Sequence, residues 1–540
     1  MDVSKEKGIG TDYGPGSPAD SNEAGAFERP AQGALARKLQ GRHMQMIAIG
    51  GSIGAGLFVG SGPSFVNGGP GSVLLGFLIT GVMLLMVMQA LGEMAVLYPV
   101  NGAFYTYFIR FIDPAWGFAI GWDYAISWLI VLPFELIAAG LTIDFWRPDI
   151  NIGVWITVFL VILAAIQFFG VRGYGEVEFV LGMIKVIAVI GFIIFGIITD
   201  CGGVPTDTRG YIGAHYWHHP GAFRNGFKGF CSVFVNAAFA YAGTELVGLA
   251  AAEAADPRKS LPKASKQVFW RIAGFYVLSL FMVGLIVPAD NEELLGAGND
   301  NTKASPFVLA IRLAGVKGLP SVFNAVITIS VISVANSCTF ASSRTMQAMG
   351  ATGMGPRFLA YVDKKGRPVW CVVIQLAFGL LAFISEASAG STVFTWLLAL
   401  SGLSYLFVWG SICLAHIRFR KGWRVQGRSL DDIPYKSPFG IIGSWVGLIL
   451  SSLAIIATFY SSLFPIHKPA NAENFFENYL AAPIIIVLYL GWKVYSRGHG
   501  GLFVRAQDMD LTTGLRSLDL EPMVQREELP IGKRILRTIF

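Results

Sequence analysis

The stretch Met46-Ile47-Ala48-Ile49-Gly50-Gly51-Ser52-Ile53-Gly54-Ala55-Gly56-Leu57-Phe58-Val59-Gly60 decides how this chain is read. It is apolar enough to lie in a membrane, yet five of its residues are glycines. Glycine weakens a helix by about 1 kcal/mol per position relative to alanine, so a cluster of them invites the helix to open. An opened helix in lipid leaves backbone N–H and C=O groups unsatisfied, which is tolerated only where protein or a ligand takes them up. The stretch therefore reads as an interrupted transmembrane helix with a binding site at its gap. The blander alternative is that the glycines only let helices pack closely, as small-xxx-small patterns do.

The rest of the chain supports a membrane setting. It is 54% hydrophobic and 14% charged, with a mean hydropathy of +0.56, against about 25% charged in a typical soluble chain. Apolar runs of about twenty residues recur, each long enough to cross a bilayer. The expected fold is an all-α polytopic membrane protein with about 12 transmembrane helices by the apolar-window criterion. They fall near 45–65, 73–97, 118–142, 152–170, 178–199, 229–252, 268–288, 320–347, 369–387, 392–415, 441–464 and 480–496. The alternating pattern of a membrane barrel is absent, and no cleavable leader is expected. Residues 1–42 read as a polar cytoplasmic N-terminal tail, 43–497 as the transmembrane domain and 498–540 as a polar cytoplasmic C-terminal tail.

Cys201, Cys231, Cys338, Cys371 and Cys413 form no CxxC or Cys/His metal spacing and read as structural thiols. His215, His218 and His219 lack a carboxylate or thiol companion, so a solvated outer loop is expected there rather than a metal site. No resident cofactor and no metal are expected. The net charge of +6 suits basic cytoplasmic loops and gives no reason to invoke nucleic acid.

Lys and Arg are unevenly shared between alternate loops. One set holds Arg37, Lys38, Arg42, Arg110, Arg172, Arg258, Lys259, Lys263, Lys266, Arg357, Lys364, Lys365 and Arg367, and then the run from Arg418 to Lys436. The other set carries Asp144, Asp149, Asp290, Glu292, Glu293, Asp300, Glu473 and Glu477. This asymmetry places both termini in the cytoplasm and favours an even number of spans.

Span 6 shares the peculiarity of span 1. It reads Asn236-Ala237-Ala238-Phe239-Ala240-Tyr241-Ala242-Gly243-Thr244-Glu245-Leu246-Val247-Gly248-Leu249, with small residues and a mid-span glycine. Five spans separate the two, so the second half would run with opposite topology, as in a 5+5 inverted repeat whose paired broken helices mark the central site. Spans 11 and 12 lie outside the repeat. At the first break the N–H groups of Ile53 to Gly56 would suit a carboxylate. At the second, carbonyls of about Phe239 to Ala242 would suit an ammonium group. The pair reads as a zwitterion site.

A charge at mid-membrane depth costs about 2.5–3.5 kcal/mol on insertion scales and needs a reason. Glu135 in span 3, Lys185 in span 5 and Glu245 in span 6 qualify. Glu135 adjoins Pro133 and could line the cavity or carry a proton. Lys185 has no acidic neighbour one turn away, so a desolvated lysine there can give and take a proton. A fixed Lys–Glu pair with Glu245 or Glu135 is the structural alternative. Asp123, Glu93 and Glu253 sit nearer span ends, where water or interfacial pairing suffices.

Long motifs now point to a family. They include Gly50 to Phe58; Gly92-Glu93-Met94 with Pro99, Gly102, Phe104 and Tyr105; and Ala242 to Gly248. They continue with Pro257 to Ala264, Ser342 to Met346, Lys364 to Pro368, Leu400 to Ser404 and Trp409 to Arg420. On these the chain resembles the fungal amino acid permeases of the yeast amino acid transporter family, within the amino acid–polyamine–organocation superfamily. Among them it is most similar to general amino acid permeases.

The resemblance implies a proton-coupled amino acid symporter with the broken-helix inverted-repeat fold, importing amino acids across the plasma membrane. Its substrate site would fall on Ser52, Ile53, Gly54, Ala55, Gly56 and Glu135, and on Phe239, Ala240, Gly243 and Thr244. Phe239 would be the aromatic gate. Lys185, with Glu245, would couple transport to the proton. The partners implied are an amino acid substrate, protons and membrane lipid, with ubiquitin or trafficking machinery acting through the tails, where Lys5, Lys7 and Lys38 are candidate acceptors. The tail departs from the family pattern, ending Arg534-Ile535-Leu536-Arg537-Thr538-Ile539-Phe540. Two alternatives stay open: a non-transporting amino acid sensor on the same scaffold, and a permease narrowed to proline, basic or aromatic amino acids. No nucleophile–base spacing or phosphate loop points to an enzyme. Selectivity residues on spans 3, 6, 8 and 10, such as Ser333, Asn336, Ser401 and Ser404, cannot be oriented from sequence.

Overall fold

Span 1 opens where its glycines cluster. It begins as Gly41–Ser52, breaks at Ile53 and Gly54, resumes as Ala55–Phe58 and runs on from Ser61. The helix Ser61–Leu97 then kinks at Gly69, whose φ of 76° admits no side chain without strain, and Pro70 opens span 2 beyond the kink. The computed structural model describes residues 39–295, 305–386, 390–466, 468–496 and 502–515. Lys5, Lys7, Lys38, Asp300 and the terminal Arg534 to Phe540 lie outside them.

Helices are the regular elements of the described residues, with one β-bridge between Leu39 and Ala254 beside them. Spans 3, 4 and 5 are Pro114–Ile143, Ile152–Gln167 and Gly170–Asp200. Span 6 is Gly226–Tyr241 followed, after a break, by Leu246–Ala250 and a short turn to Glu253. Spans 7 and 8 are Pro257–Ile286 and Leu319–Ala351. Val369–Gly379 with Leu380–Glu386 makes span 9, and Gly390–Val425, Gly440–Leu463 and Ala481–Tyr495 make spans 10 to 12.

Local chemistry fixes several starts. Asp113 accepts from the Trp116 N–H (3.3 Å) ahead of Pro114, and Asp256 accepts from Lys259 N–H (3.3 Å) ahead of Pro257.

Among the described residues, seven helices are long and apolar enough to cross a membrane, and four shorter apolar ones accompany them. Burial sorts them. The apolar window of span 6 is 89% buried, whereas those of spans 5 and 11 are only 28% buried. Spans 1, 3, 6, 8 and 10 thus form the centre, and spans 5, 9, 11 and 12 turn apolar faces outward, with Ile187, Ile194, Leu380, Ile442 and Val487 all exposed. That exposed belt suits lipid.

Both described chain-end segments lie at one end of the bundle. Leu39 pairs with Glu253 and Ala255 at the base of span 6 (3.0 and 2.9 Å). Residues 502–515 do not hang free as a tail but dock on the loops at that same end. Val504 N–H donates to Ile112 O (2.8 Å), the Tyr98 hydroxyl to Leu511 O (3.0 Å) and Gln426 to Met509 O (2.8 Å). This is the end that carries the basic loops.

Asp123, Glu93 and Glu253 correct an expectation, because protein rather than water satisfies all three. Glu93 lies 2.5 Å from Arg420 and 3.1 Å from His416, Glu253 lies 2.8 Å from Arg344, and Asp123 accepts from Ser404 (2.9 Å). All three carboxylates are buried.

Candidate functional site

The first break is a true helix end followed by a new start. Ile53 N–H still closes back onto Ile49 O (3.1 Å), so the old helix finishes there. Phe58 N–H is the first to close the new turn, onto Gly54 O (3.2 Å). The donors from Gly54 to Leu57 are those of a helix start, one position later than the sequence suggests. The Ala55 N–H points at the Glu135 carboxyl group, which shares this helix start. The Ser52 hydroxyl turns back to Ala48 O (2.9 Å).

The second break spans Ala242 to Glu245. Gly243 takes a φ of 92°, and the Thr244 hydroxyl caps Tyr241 O (2.8 Å). The two broken helices touch backbone to backbone. A Cβ on Gly243 would lie 2.5 Å from Gly51 O, and one on Gly56 would lie 2.7 Å from the α-carbon of Ala240. Tyr276 on span 7, which sequence reading missed, ties both breaks together. Its buried hydroxyl lies 2.8 Å from Ser52 O and 2.7 Å from Ala240 O. Of the carbonyls expected to await an ammonium group, those of Ala240 and Tyr241 therefore already have hydroxyl partners.

Between the breaks lies a small cavity of about 10 Å³, at the threshold for a single water. Gly51, Ser52, Gly54, Gly56, Glu135, Phe239 and Ala242 line it, together with Trp128, Val131, Val334 and Tyr405. Of the sequence-derived site residues, Ile53, Ala55, Ala240, Gly243 and Thr244 shape the breaks without lining the cavity. Phe239 stands on the wall edge-on to Phe134, with ring centroids 5.2 Å apart. Ser333 and Asn336 face Glu178, and Ser404 faces Asp123, so these three are turned to other partners.

The buried charges fall into two groups. Lys185 donates from Nζ to Gly50 O (2.6 Å), just ahead of the first break, and its acidic neighbours are Glu178 and Glu135. Glu178, also unread in the sequence, is fully buried and accepts from Ser333 Oγ and Asn336 Nδ2 (both 2.7 Å). Glu245 stands apart from Lys185. It accepts from the Tyr124 hydroxyl (3.0 Å), its own turn's Gly243 N–H (3.3 Å) and the Trp409 indole (3.4 Å).

The cavity is shut at both ends. Outward, Phe58 stacks edge-on against Phe307 and Phe323, at 5.1 and 5.6 Å, and the Ser305 hydroxyl holds Phe58 O (2.6 Å). At the basic end, Arg344–Glu253 (2.8 Å), Arg42–Glu176 (2.7 Å) and the Leu39 bridge lock the bases of spans 1, 5, 6 and 8.

Comparison with known proteins fits this geometry. The family model "Amino acid permease" matches residues 43–499. The chain is 51% identical over 514 residues to the General amino-acid permease GAP1 of Saccharomyces cerevisiae, covering 94% of this chain and 85% of that protein. It is also 51% identical over 511 residues to the Cationic amino acid transporter 1 of Schizosaccharomyces pombe, covering 94% of this chain and 86% of that protein. An uncharacterized amino-acid permease of Schizosaccharomyces pombe is 56% identical over 485 residues, 90% of this chain and 82% of that protein. Among solved structures, MhsT in complex with L-phenylalanine is similar in fold, with a TM-score of 0.52 at 17% identity, covering 78% of this chain and 98% of that one.

Proposed function

Because this chain belongs to the amino acid permease family, we propose that it is a proton-coupled amino acid symporter of broad specificity. It works by alternating access in the plasma membrane, with its basic end and both chain ends in the cytoplasm. The observation that carries this reading is the closed cavity between two broken helices of opposite polarity, with Glu135 on its wall and Lys185 bonded beside the first break.

The substrate's carboxylate binds the helix-start donors from Gly54 to Leu57, and its ammonium binds the carbonyl end of span 6 near Phe239 and Ala242. Glu135 addresses Ala55 N–H, one of those donors. Two carboxylates cannot share those donors, so a proton on Glu135 frees them for the substrate. Phe239 covers the bound molecule. The Lys185 ammonium holds Gly50 O by a charge-assisted bond that a neutral amine would make more weakly, which links the proton to the position of the broken helix. A relative named as a general permease and another named for cationic amino acids support a broad range.

The test is uptake of a ¹⁴C-labelled mixture of the protein amino acids by cells lacking their own permeases, followed by competition with each amino acid singly. Uptake is expected to fall when the proton gradient is collapsed, and Lys185→Met is expected to reach the surface yet accumulate little. Gradient-independent accumulation, or normal proton-driven uptake by that variant, would sink the coupling.

A further inference from the structure

We infer that Glu178 is the proton partner of Lys185: it takes the proton from the lysine and releases it on the basic side. The inference rests on the reading of Lys185 as the coupling residue.

Glu178 lies seven residues before Lys185 on span 5, two helical turns nearer the basic end and on the same face. Gly50 sits between them. Its carbonyl accepts the Lys185 ammonium (2.6 Å) and lies 3.4 Å from the Ser333 hydroxyl, which itself donates to Glu178 Oε2 (2.7 Å). A side chain on Gly50 would collide with the Glu178 carboxylate. Beyond Glu178 the polar seam continues. Asn336 bonds Glu178 Oε1 (2.7 Å) and accepts from Gln167 (3.0 Å), which is half-buried at the end of span 4. One hydrogen-bonded line thus joins the first break to the rim of the basic end.

The kind of partner is what argues for a proton. Two other buried carboxylates are clamped by arginine, Glu93 by Arg420 and Glu253 by Arg344. Arginine keeps its proton and cannot accept one, so it fixes a carboxylate in its charged form. Glu245 is held partly by a backbone N–H and an indole, which also only donate. Glu178 instead meets a hydroxyl and a primary amide. Each can donate to a carboxylate or, turned over, accept from a carboxylic acid. That is the setting of a group that must be stable both charged and neutral.

The titratable groups around Glu178 are few. Its own helix brings Lys185 and Tyr174, and span 8 brings Cys338. Span 3 brings Glu135 through Lys185. Span 1 brings His43, packed at Gly175 one turn below, and span 7 brings Tyr276, already committed to the two breaks. Lys185 is the cation among them that shares its polar seam.

The step balances simply. Lys185 gives up one proton from its ammonium and Glu178 takes up one on its carboxylate, within the seam that Gly50 O and Ser333 join. This leaves a neutral amine and a carboxylic acid. The acid then gives its proton to water at the basic end and returns to the carboxylate.

The test uses the full-length protein in proteoliposomes, with the ¹⁴C-labelled amino acid mixture as probe. Two reactions are compared: accumulation driven by an imposed pH gradient, and counterflow exchange without one. Glu178→Gln is expected to lower driven accumulation at least tenfold and flatten its pH profile while counterflow persists. Glu178→Asp is expected to restore pH-dependent accumulation. Driven accumulation by Glu178→Gln at the wild-type level overturns the assignment. So does loss of counterflow together with accumulation, which would make Glu178 part of the substrate cycle or the fold. Lys185→Met separates the two readings. If it keeps driven accumulation, the Lys185 reading fails; if it loses accumulation while Glu178→Gln keeps it, only the Glu178 assignment fails.

Discussion

Gly243→Ala tests whether the two broken helices need their backbone contact. Two costs arise there. The φ of 92° places an L-residue in the left-handed region, at about 1–2 kcal/mol. The new Cβ would also lie 2.5 Å from Gly51 O and 2.6 Å from Gly51 C. These are backbone atoms, so neither can swing aside, and overpacking of this kind costs about 1–3 kcal/mol. The total is about 2–5 kcal/mol, all of it at the second break. Gly353→Ala is the matched control, since its φ is 75° and nothing lies within 4 Å of its Cβ position. It bears the conformational cost alone. The assay is thermal unfolding of the purified protein, run beside labelled amino acid uptake. Gly243→Ala is expected to melt clearly below Gly353→Ala and to transport at least about tenfold more slowly, a factor worth about 1.4 kcal/mol. Equal melting and equal uptake for the two variants would refute the backbone contact as a requirement of the site.

Two further outcomes follow from the same geometry. Tyr276→Phe removes the hydroxyl shared by Ser52 O and Ala240 O and leaves buried carbonyls short of a donor, at about 1–3 kcal/mol. The melting temperature is expected to fall and the apparent KM for uptake to change severalfold; an unchanged KM and stability would remove Tyr276 from the site. Asp510 anchors the docked 502–515 segment. Despite partial desolvation, its bonds to Thr513 and Thr512 and the nearby Arg110 hold its carboxyl down at about 2. A depressed carboxylate contributes its stability above the usual carboxylate range and loses it as pH falls from about 4 towards 2. Docking is therefore expected to be insensitive to pH between 5 and 8 and to loosen in Asp510→Asn, read as faster amide hydrogen exchange across 502–515; a pH-dependent release within that window would contradict the assignment.

What the sequence disclosed and what it hid divide along physical lines. The two breaks were legible because glycine clusters and hydropathy are local properties. Gly50 to Gly56 and Ala242 to Glu245 needed no tertiary information to be found. The cavity wall was not legible. Span 3 is apolar or small nearly all round, so its pattern does not say that Trp128, Val131 and Glu135 share the inward face. Tyr405 and Val334 pose the same problem on spans 10 and 8. Glu178 was hidden for a different reason. Hydropathy windows begin span 5 at residue 178, which makes that carboxylate look like an edge residue, but the helix begins at Gly170 and buries it. The same error moved Asp123 and Glu93 towards water. The one available signal was the seven-residue spacing from Glu178 to Lys185, which puts acid and base on one face of one helix.

Close packing and ligand binding began as rival readings of the Gly50–Gly60 stretch, and the structure makes them one property. Gly51 against Gly243 and Gly56 against Ala240 bring the backbones into contact. That contact sets the N–H end of one half-helix beside the C=O end of the other. On the proposed reading, a ligand that answers both ends holds an anion and a cation close together. The α-carboxylate and α-ammonium of an amino acid meet that condition whatever the side chain. Glycine is needed at the contact because any Cβ would push the two polar ends apart, and the breaks are needed because an intact helix offers neither end. On the same reading, discrimination between side chains falls to Trp128, Val131, Val334 and Tyr405, which line the cavity from spans that remain continuous.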